Sequence, residues 1–96
     1  MGQDTVFKFR LYVAGDAQNS LEALSNLHQL CERLVPTRHE IEVVDVFQNP
    51  KRALAEGIFL TPMLVKIEPA PSRRIVGTLS QTQTVVQALG LPAHVT

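Results

Sequence analysis

The chain of 96 residues contains no tryptophan and a single cysteine, and aromatic residues make up only 5% of it. One cysteine cannot form an intramolecular disulfide, so we expect a reducing, cytoplasmic setting. With so few aromatic side chains, the core must be built from leucine, valine, isoleucine and alanine. The length predicts one domain over residues 1–96, and the balance of 45% hydrophobic and 19% charged residues argues against disorder.

The chain also lacks net charge, since nine basic residues balance nine acidic ones. This balance predicts no basic surface for nucleic acid or for an anionic membrane. No apolar run approaches the roughly 20 residues that a membrane-spanning helix needs. Residues 1–5 have neither the basic nor the apolar segment of a signal peptide. We therefore expect a soluble cytoplasmic protein without a nucleic-acid or membrane partner.

Hydrophobic patterning in the first half predicts a β-α-β unit. Residues 6–14 alternate and then become continuously apolar, which is typical of a buried central strand. Asn19 and Glu22 resemble a capping box at the start of the following helix. Residues 41–47 predict a second strand, which should run parallel to the first. The inward face of the helix is predicted from apolar residues three or four apart: Leu21, Leu24, Leu27, Cys31 and Leu34.

The second half predicts a helix, two strands and a final helix. Asn49 and Pro50 have the residue types of a helix cap and first helical position, and Gly57 is a suitable stop. Thr61-Pro62 opens a strand that a proline-rich turn at 69–72 joins to a strand at 73–77.

Ser80 and Gln83 form a second candidate capping box, at the start of the last helix. Val85, Val86 and Leu89 share one face of that helix, and Gly90 can end it in the left-handed conformation. The predicted order, β-α-β-α-β-β-α, is an α/β fold resembling thioredoxin. In that fold a cis proline occurs where Thr61-Pro62 stands.

The residues that thioredoxin chemistry requires are missing. Segment 16–20, at the start of the first helix, contains no cysteine, so dithiol exchange is excluded. Cys31 lies on the apolar helix face and is interpreted as a buried core residue. No catalytic constellation and no nucleotide-binding motif is present, so we expect neither an enzyme nor a cofactor. We expect no metal, because the three histidines have no zinc-site spacing: His28, His39 and His94.

Two further polar positions leave alternatives open. Asp45, inside the second predicted strand, is either a buried carboxylate with a raised pKa or a cap for the following turn, and we favour the cap. Arg73 and Arg74 could bind a phosphate or an acidic partner, although arginines in a hairpin are more often simply solvated.

Several short motifs follow one another with the spacing of a known family, and together they cover residues 6–91. They are Tyr12-Val13-Ala14-Gly15, Asn19-Ser20, Val44-Asp45-Val46, Asn49-Pro50, Thr61-Pro62, and Arg73-Arg74-Ile75-Val76-Gly77-Thr78-Leu79-Ser80. On these residues the chain resembles the circadian clock family KaiB.

The resemblance implies a non-enzymatic protein that binds the hexameric ATPase KaiC and modulates circadian or related signalling. It also implies a second fold, a tetramer of order β-α-β-β-α-α-β, beside the thioredoxin-like monomer that binds the ATPase. The bound protein would sequester KaiA or compete with the sensor domain of a histidine kinase. The slow isomerisation of X-Pro bonds gives a physical reason for slow exchange between folds, at Pro62, Pro69 and Pro71.

Departures from the family pattern refine these expectations. Ala17-Gln18 stands where the family usually has Thr-Pro, so the first turn should be looser. Ala88 replaces a glycine and Gly90 an aspartate, which with the Ser80 box favours the thioredoxin-like form. Glu40 and Glu42 replace a neutral residue and a lysine on the second strand, which counts against KaiA-type binding at that edge.

The expected ATPase-binding surface is the second helix and its approaches: Asn49, Pro50, Lys51, Arg52, Glu56 and Gly57. A homo-oligomer, dimer or tetramer, remains open beside the monomer. The alternative function is a thioredoxin-like adaptor or stress-response module without a role in a clock.

Overall fold

The computed structural model describes residues 5–92. His94 and the chain ends therefore lie outside the described part. The elements are β1 (Phe7–Val13), α1 (Gln18–Leu34), β2 (His39–Asp45), α2 (Pro50–Ala55), β3 (Met63–Glu68), β4 (Arg73–Val76) and α3 (Thr82–Leu89). This is the predicted order β-α-β-α-β-β-α, and the α/β, thioredoxin-like fold class is confirmed.

Four strands form one mixed sheet in the order β2-β1-β3-β4. β1 pairs with β2 in parallel, as predicted, while β3 is antiparallel to both β1 and β4. The register places Glu42, Arg10, Val65 and Arg74 in one row across the four strands. β2 and β4 are therefore the two edges of the sheet.

One face of the sheet is covered by α1 and α3 and forms the larger core. Alternate residues of β1 point into it because successive side chains of a strand face opposite sides. The core cluster contains these β1 residues, Leu64 of β3, and the inward faces of both helices. Its fully enclosed members include Phe9, Leu11, Leu27, Leu64 and Leu89.

The opposite face has a smaller core under α2. Tyr12, Val44 and Met63 contribute from the sheet, and Ala53 and Ile58 from α2 and the loop after it. Because α2 has only six residues, it covers one end of this face. The rest of the face carries charged side chains such as Lys8, which lies 3.7 Å from Glu68.

The predicted capping box of α1 is wrong. The helix begins at Gln18, after Ala17, and has no side-chain cap. The hydroxyl of Ser20 instead accepts a hydrogen bond from the Ala14 N–H at 3.1 Å, which ties the first turn back to β1. The buried face consequently includes Ser20, and the neighbouring Leu21 is 50% exposed. The complete buried face of α1 is Ser20, Ala23, Leu27, Leu30, Cys31 and Leu34.

The start of α3 also differs from its prediction. Gln81 occupies the cap position without a side-chain hydrogen bond, and the Ser80 hydroxyl accepts instead from the Thr78 hydroxyl at 3.2 Å. The end of α3 is as predicted, with Gly90 in the left-handed conformation at φ 69°. The glycine stop after α2 is likewise confirmed, since Gly57 has the same φ of 69°.

The Thr61-Pro62 peptide bond is cis, as predicted, and directly precedes β3. Glu68-Pro69 and Ala70-Pro71, in the hairpin between β3 and β4, are cis as well. β2 starts and ends two residues before its predicted bounds. It starts early because His39 pairs with Phe7, and it ends early because the chain turns away from the sheet after Asp45.

Candidate partner-binding surface

The turns after β1 and β2 meet at one end of the sheet, where Asp45 joins them. Asp45 Oδ1 accepts hydrogen bonds from the backbone N–H of Gly15 at 3.1 Å and of Phe47 at 2.9 Å. Asp45 therefore caps the following turn, which is the alternative that the sequence favoured. A thioredoxin-like domain would place its redox cysteines beside this turn.

The β2–α2 turn leads directly into α2. Asn49 precedes the helix, and its side-chain amide donates to the Asp45 carbonyl at 3.1 Å rather than capping α2. Pro50 occupies the first helical position, where a missing N–H costs nothing. Ala53 faces the small core. The predicted partner residues lie on the other side: Asn49, Pro50, Lys51, Arg52 and Glu56 are exposed, and Gly57 is half-buried.

Four large apolar side chains in α2 or beside it in sequence are not covered by the rest of the described chain. Phe47 is 73% exposed, Leu54 66%, Phe59 78% and Leu60 61%. None of the four was predicted as a binding residue, although Phe59 and Leu60 stand between two chain breakers, Gly57 and Pro62, where no strand or helix period explains them. Several large apolar side chains exposed within one short segment, residues 47–60, are typical of an interaction site. We call these four residues with the exposed side of α2 the α2 surface.

A shared carboxylate links α2 to the edge strand β2. Glu42 Oε1 accepts from Arg52 Nη2 at 2.9 Å and from Arg10 Nε at 2.8 Å. These two guanidinium groups, Arg52 first, hold the pKa of Glu42 below its ordinary value. Glu40 lies on the same strand face, opposite Lys8. The second predicted surface, Glu40 and Glu42, is thus an exposed edge joined to the α2 surface by Arg52.

The end of α2 is tied to β4 through Arg74, whose Nη2 donates to the Glu56 carbonyl at 2.7 Å. Arg74 is exposed, as expected of a hairpin arginine, but it holds two elements together. Arg73, beside it, is exposed on the same edge strand.

Cys31 is fully buried in α1, and burial, with a smaller contribution from Glu32, raises the pKa of its thiol to about 12. Within residues 5–92, no group of histidine, cysteine and acidic side chains could hold a metal ion. A search of the same residues finds no helix long and apolar enough to cross a membrane.

The residues predicted to take part in a fold switch are spread over the second half of the chain. Pro62 is buried at the start of β3, whereas Pro69 and Pro71 are in the hairpin that follows. Ala88 is half-buried in the last turn of α3, next to the left-handed Gly90. These residues are not brought together into one site.

These features define a thioredoxin-like domain with an aromatic side chain, and no cysteine, at the end of the sheet where thioredoxins carry their redox pair. A family model for the KaiB domain matches residues 10–91. The chain therefore belongs to the KaiB family.

Named relatives agree with this assignment. The chain is 35% identical over 82 residues to the circadian clock protein KaiB3 of a Synechocystis species, covering 85% of this chain and 80% of that protein. It is 39% identical over 85 residues to the circadian clock oscillator protein KaiB of Thermosynechococcus vestitus, covering 88% and 79%.

Among solved structures, chloroplastic thioredoxin z is similar with a TM-score of 0.71 and 25% identity, over 91% of this chain and 80% of that one. The N-terminal domain of Synechococcus elongatus SasA has the same TM-score of 0.71 at 19% identity, over 91% and 83%. Both likenesses concern the fold.

Proposed function

We propose that this chain is a non-enzymatic regulatory protein that binds a KaiC-like hexameric ATPase and modulates circadian or related signalling. The observation that carries the proposal is the α2 surface, where uncovered Leu54 in α2 and three uncovered apolar side chains in the flanking loops accompany an exposed polar helix side. Membership of the KaiB family, and relatives that are named clock proteins, support the choice of partner.

The binding residues in this proposal are those predicted from the sequence together with the apolar ones. Asn49, Pro50, Lys51, Arg52, Glu56 and Gly57 would form the polar part. Apolar anchors surrounded by polar residues are the usual composition of a protein–protein interface. A cytoplasmic location follows from this partner.

The test is association with a purified KaiC-like hexameric ATPase, which size-exclusion chromatography measures in the presence of ATP and of ADP. The native chain should elute with the hexamer in at least one nucleotide state. Leu54→Ser should weaken binding by about tenfold or more, because Leu54 is a large apolar contact of the α2 surface. Leu21→Ser removes an exposed apolar side chain of α1, outside the α2 surface. It is the matched control and should bind normally. Absence of binding by the native chain in both nucleotides refutes the proposal.

The edge strand β2 is proposed not to serve a KaiA-type partner. Glu42 is already bonded to two arginines, and Glu40 adds a second negative charge to the same face. Competition with the thioredoxin-like sensor domain of a histidine kinase remains part of the proposal, since competitors for one site need comparable shapes. A ternary complex of the ATPase, this chain and KaiA would contradict the first point.

We also propose that the second half can refold to strand-helix-helix-strand, which gives the whole chain the order β-α-β-β-α-α-β in a tetramer; a homo-oligomer, dimer or tetramer, is part of the same proposal. Gly90 and Ala88 support a preference for the thioredoxin-like state. Ser80 does not cap α3 and therefore does not support that preference. Amide NMR spectra with size-exclusion chromatography test the preference. A tetramer with a C-terminal strand as the main species would refute it.

The second candidate is a thioredoxin-like adaptor or stress-response module, which the fold likeness to chloroplastic thioredoxin z favours. It predicts one stable fold and no ATPase binding, so the same two experiments separate the candidates.

A further inference from the structure

A single carboxylate oxygen holds the turns after β1 and β2 together. Besides the two bonds of Asp45 Oδ1 to Gly15 and Phe47, the Asp45 carbonyl accepts from the N–H groups of Gln48 at 3.1 Å and Asn49 at 2.9 Å. Four residues of the two turns are therefore organised around one aspartate. Gly15 itself adopts the left-handed conformation, with φ +57°.

The aromatic ring of Phe47 lies against Gly15, although most of the ring faces solvent. A Cβ atom placed on Gly15 would be 3.5 Å from Phe47 Cδ2, an ordinary van der Waals contact. Phe47 is 73% exposed. An exposed aromatic side chain that is already held in place loses little freedom on binding, which is what favours such residues as interface anchors.

We infer that Phe47 is the anchor of the α2 surface and that Asp45 is the positioning residue that holds it for a partner. The inference rests on the proposed function. It adds the chemistry of the site recognised, an apolar pocket wide enough for a phenyl ring and with an acidic rim. The acidic rim follows from charge complementarity at Lys51, which is exposed and forms no ion pair within residues 5–92, whereas Arg52 is already paired with Glu42.

The positioning role is tested on the free protein by NMR. A ring in contact with Gly15 should shift the Gly15 α-proton resonances away from their ordinary positions. Asp45→Ala should abolish this shift, because both N–H groups lose their acceptor. Asp45→Asn should retain it, because the amide oxygen still accepts both hydrogen bonds. If Asp45→Ala folds and keeps the Gly15 shift, or if Asp45→Asn folds and loses it, Asp45 is not a positioning residue.

The anchor role is tested by binding to the purified KaiC-like hexameric ATPase. Phe47→Ser should weaken binding about 30-fold or more, and Phe47→Leu by no more than about tenfold. Val6→Ser is the matched control, since Val6 is also an exposed apolar residue but precedes the first residue of β1, at the strand end away from Gly15. It should leave binding unchanged. Asp45→Asn should bind nearly as well as the native chain.

The outcomes separate this inference from the proposed function. If the native chain binds and Phe47→Ser binds equally well, the anchor inference is wrong and the proposed function stands. If the native chain does not bind, the proposed function fails, and the NMR comparison still decides whether Asp45 holds Phe47.

Discussion

At the scale of single residues, Lys66 and Gly90 stabilise the C-terminus of α3. Lys66 is 4% exposed, and its Nζ donates to the Leu89 carbonyl at 2.9 Å. A cation is favourable at a helix C-terminus, which offsets part of the cost of burying it. Gly90 lies next to the same ammonium group, because a Cβ atom on it would be 3.8 Å from Nζ.

Gly90→Ala should lower the free energy of unfolding by about 1–2 kcal/mol, because alanine is strained at the left-handed φ of Gly90. The available space is sufficient, so the cost is conformational. Urea denaturation measures the effect. Gln87→Ala, an exposed change within α3, should stay within about 0.5 kcal/mol. Equal stability of Gly90→Ala and the native chain would contradict the left-handed end of α3.

Lys66 should make stability depend on alkaline pH. Burial, and to a smaller degree Arg73, lowers the pKa of Lys66 in the folded chain. Between that pKa and the unfolded value of about 10.4, the unfolded chain binds more protons. The free energy of unfolding should therefore rise with pH across this window.

The measurement is urea unfolding from neutral to alkaline pH for the native chain and for Lys66→Met. The difference between the two curves should change within the window, because the methionine variant has no proton to release. Parallel curves would show that Lys66 is protonated equally in both states.

At the scale of elements, α2 depends on contacts made elsewhere in the chain. A helix of six residues is too short to be stable alone. It is held by Ala53 in the small core, by Arg52 on Glu42, and by Arg74 on the Glu56 carbonyl. Loss of any of these contacts should loosen α2 before the rest of the domain.

Glu42→Gln should lower the thermal midpoint and speed hydrogen exchange in α2 at neutral pH and low salt. Arg52 and Arg10 lower the pKa of Glu42 in the folded chain. Its stabilisation is therefore fully present above the unfolded carboxyl pKa of about 4.3, and it is lost as the pH falls through the lower folded pKa.

Glu40→Gln is the control on the same strand. It should have little effect, since Glu40 forms no ion pair with Arg52 of α2. High salt should reduce the Glu42 effect, because the network is exposed to solvent. An effect of Glu42→Gln that persists unchanged at acid pH would contradict the ion-pair explanation.

Element order was predictable because it depends on periodicity within short windows. The ends of the elements were less predictable, because tertiary hydrogen bonds decided them. Ser20 accepts a hydrogen bond from Ala14, and neither predicted capping box forms. The predicted polar residues of α2 do lie on one exposed side. Its apolar members were missed because residue type does not show whether the fold covers a side chain, and Leu54, Phe59 and Leu60 are left uncovered.

At the scale of the whole molecule, a thioredoxin-like fold encloses a thiol that is placed for packing and not for exchange. Cys31 lies on the buried face of α1, and its pKa is raised to about 12. Reactivity toward thiol reagents requires both access and a thiolate, and the folded chain offers neither.

The native chain should therefore not reduce insulin, and Cys31 should react with a thiol reagent at pH 8 only as fast as the domain unfolds. Labelling should become rapid above the urea midpoint. Cys31→Ser is the control for labelling at other residues. Rapid stoichiometric labelling of the folded chain would contradict the burial of Cys31.

The sequence by itself determined the order of the elements, the absence of dithiol chemistry and membership of the KaiB family, since each depends on residue type and spacing along the chain. Only the tertiary structure decided which apolar side chains remain uncovered. The same holds for the pairing of Glu42 with Arg10 and Arg52, and for the joining of two turns by Asp45. These contacts connect residues 10 to 32 positions apart, where no local period operates, and they form only when the sheet brings its strand ends together.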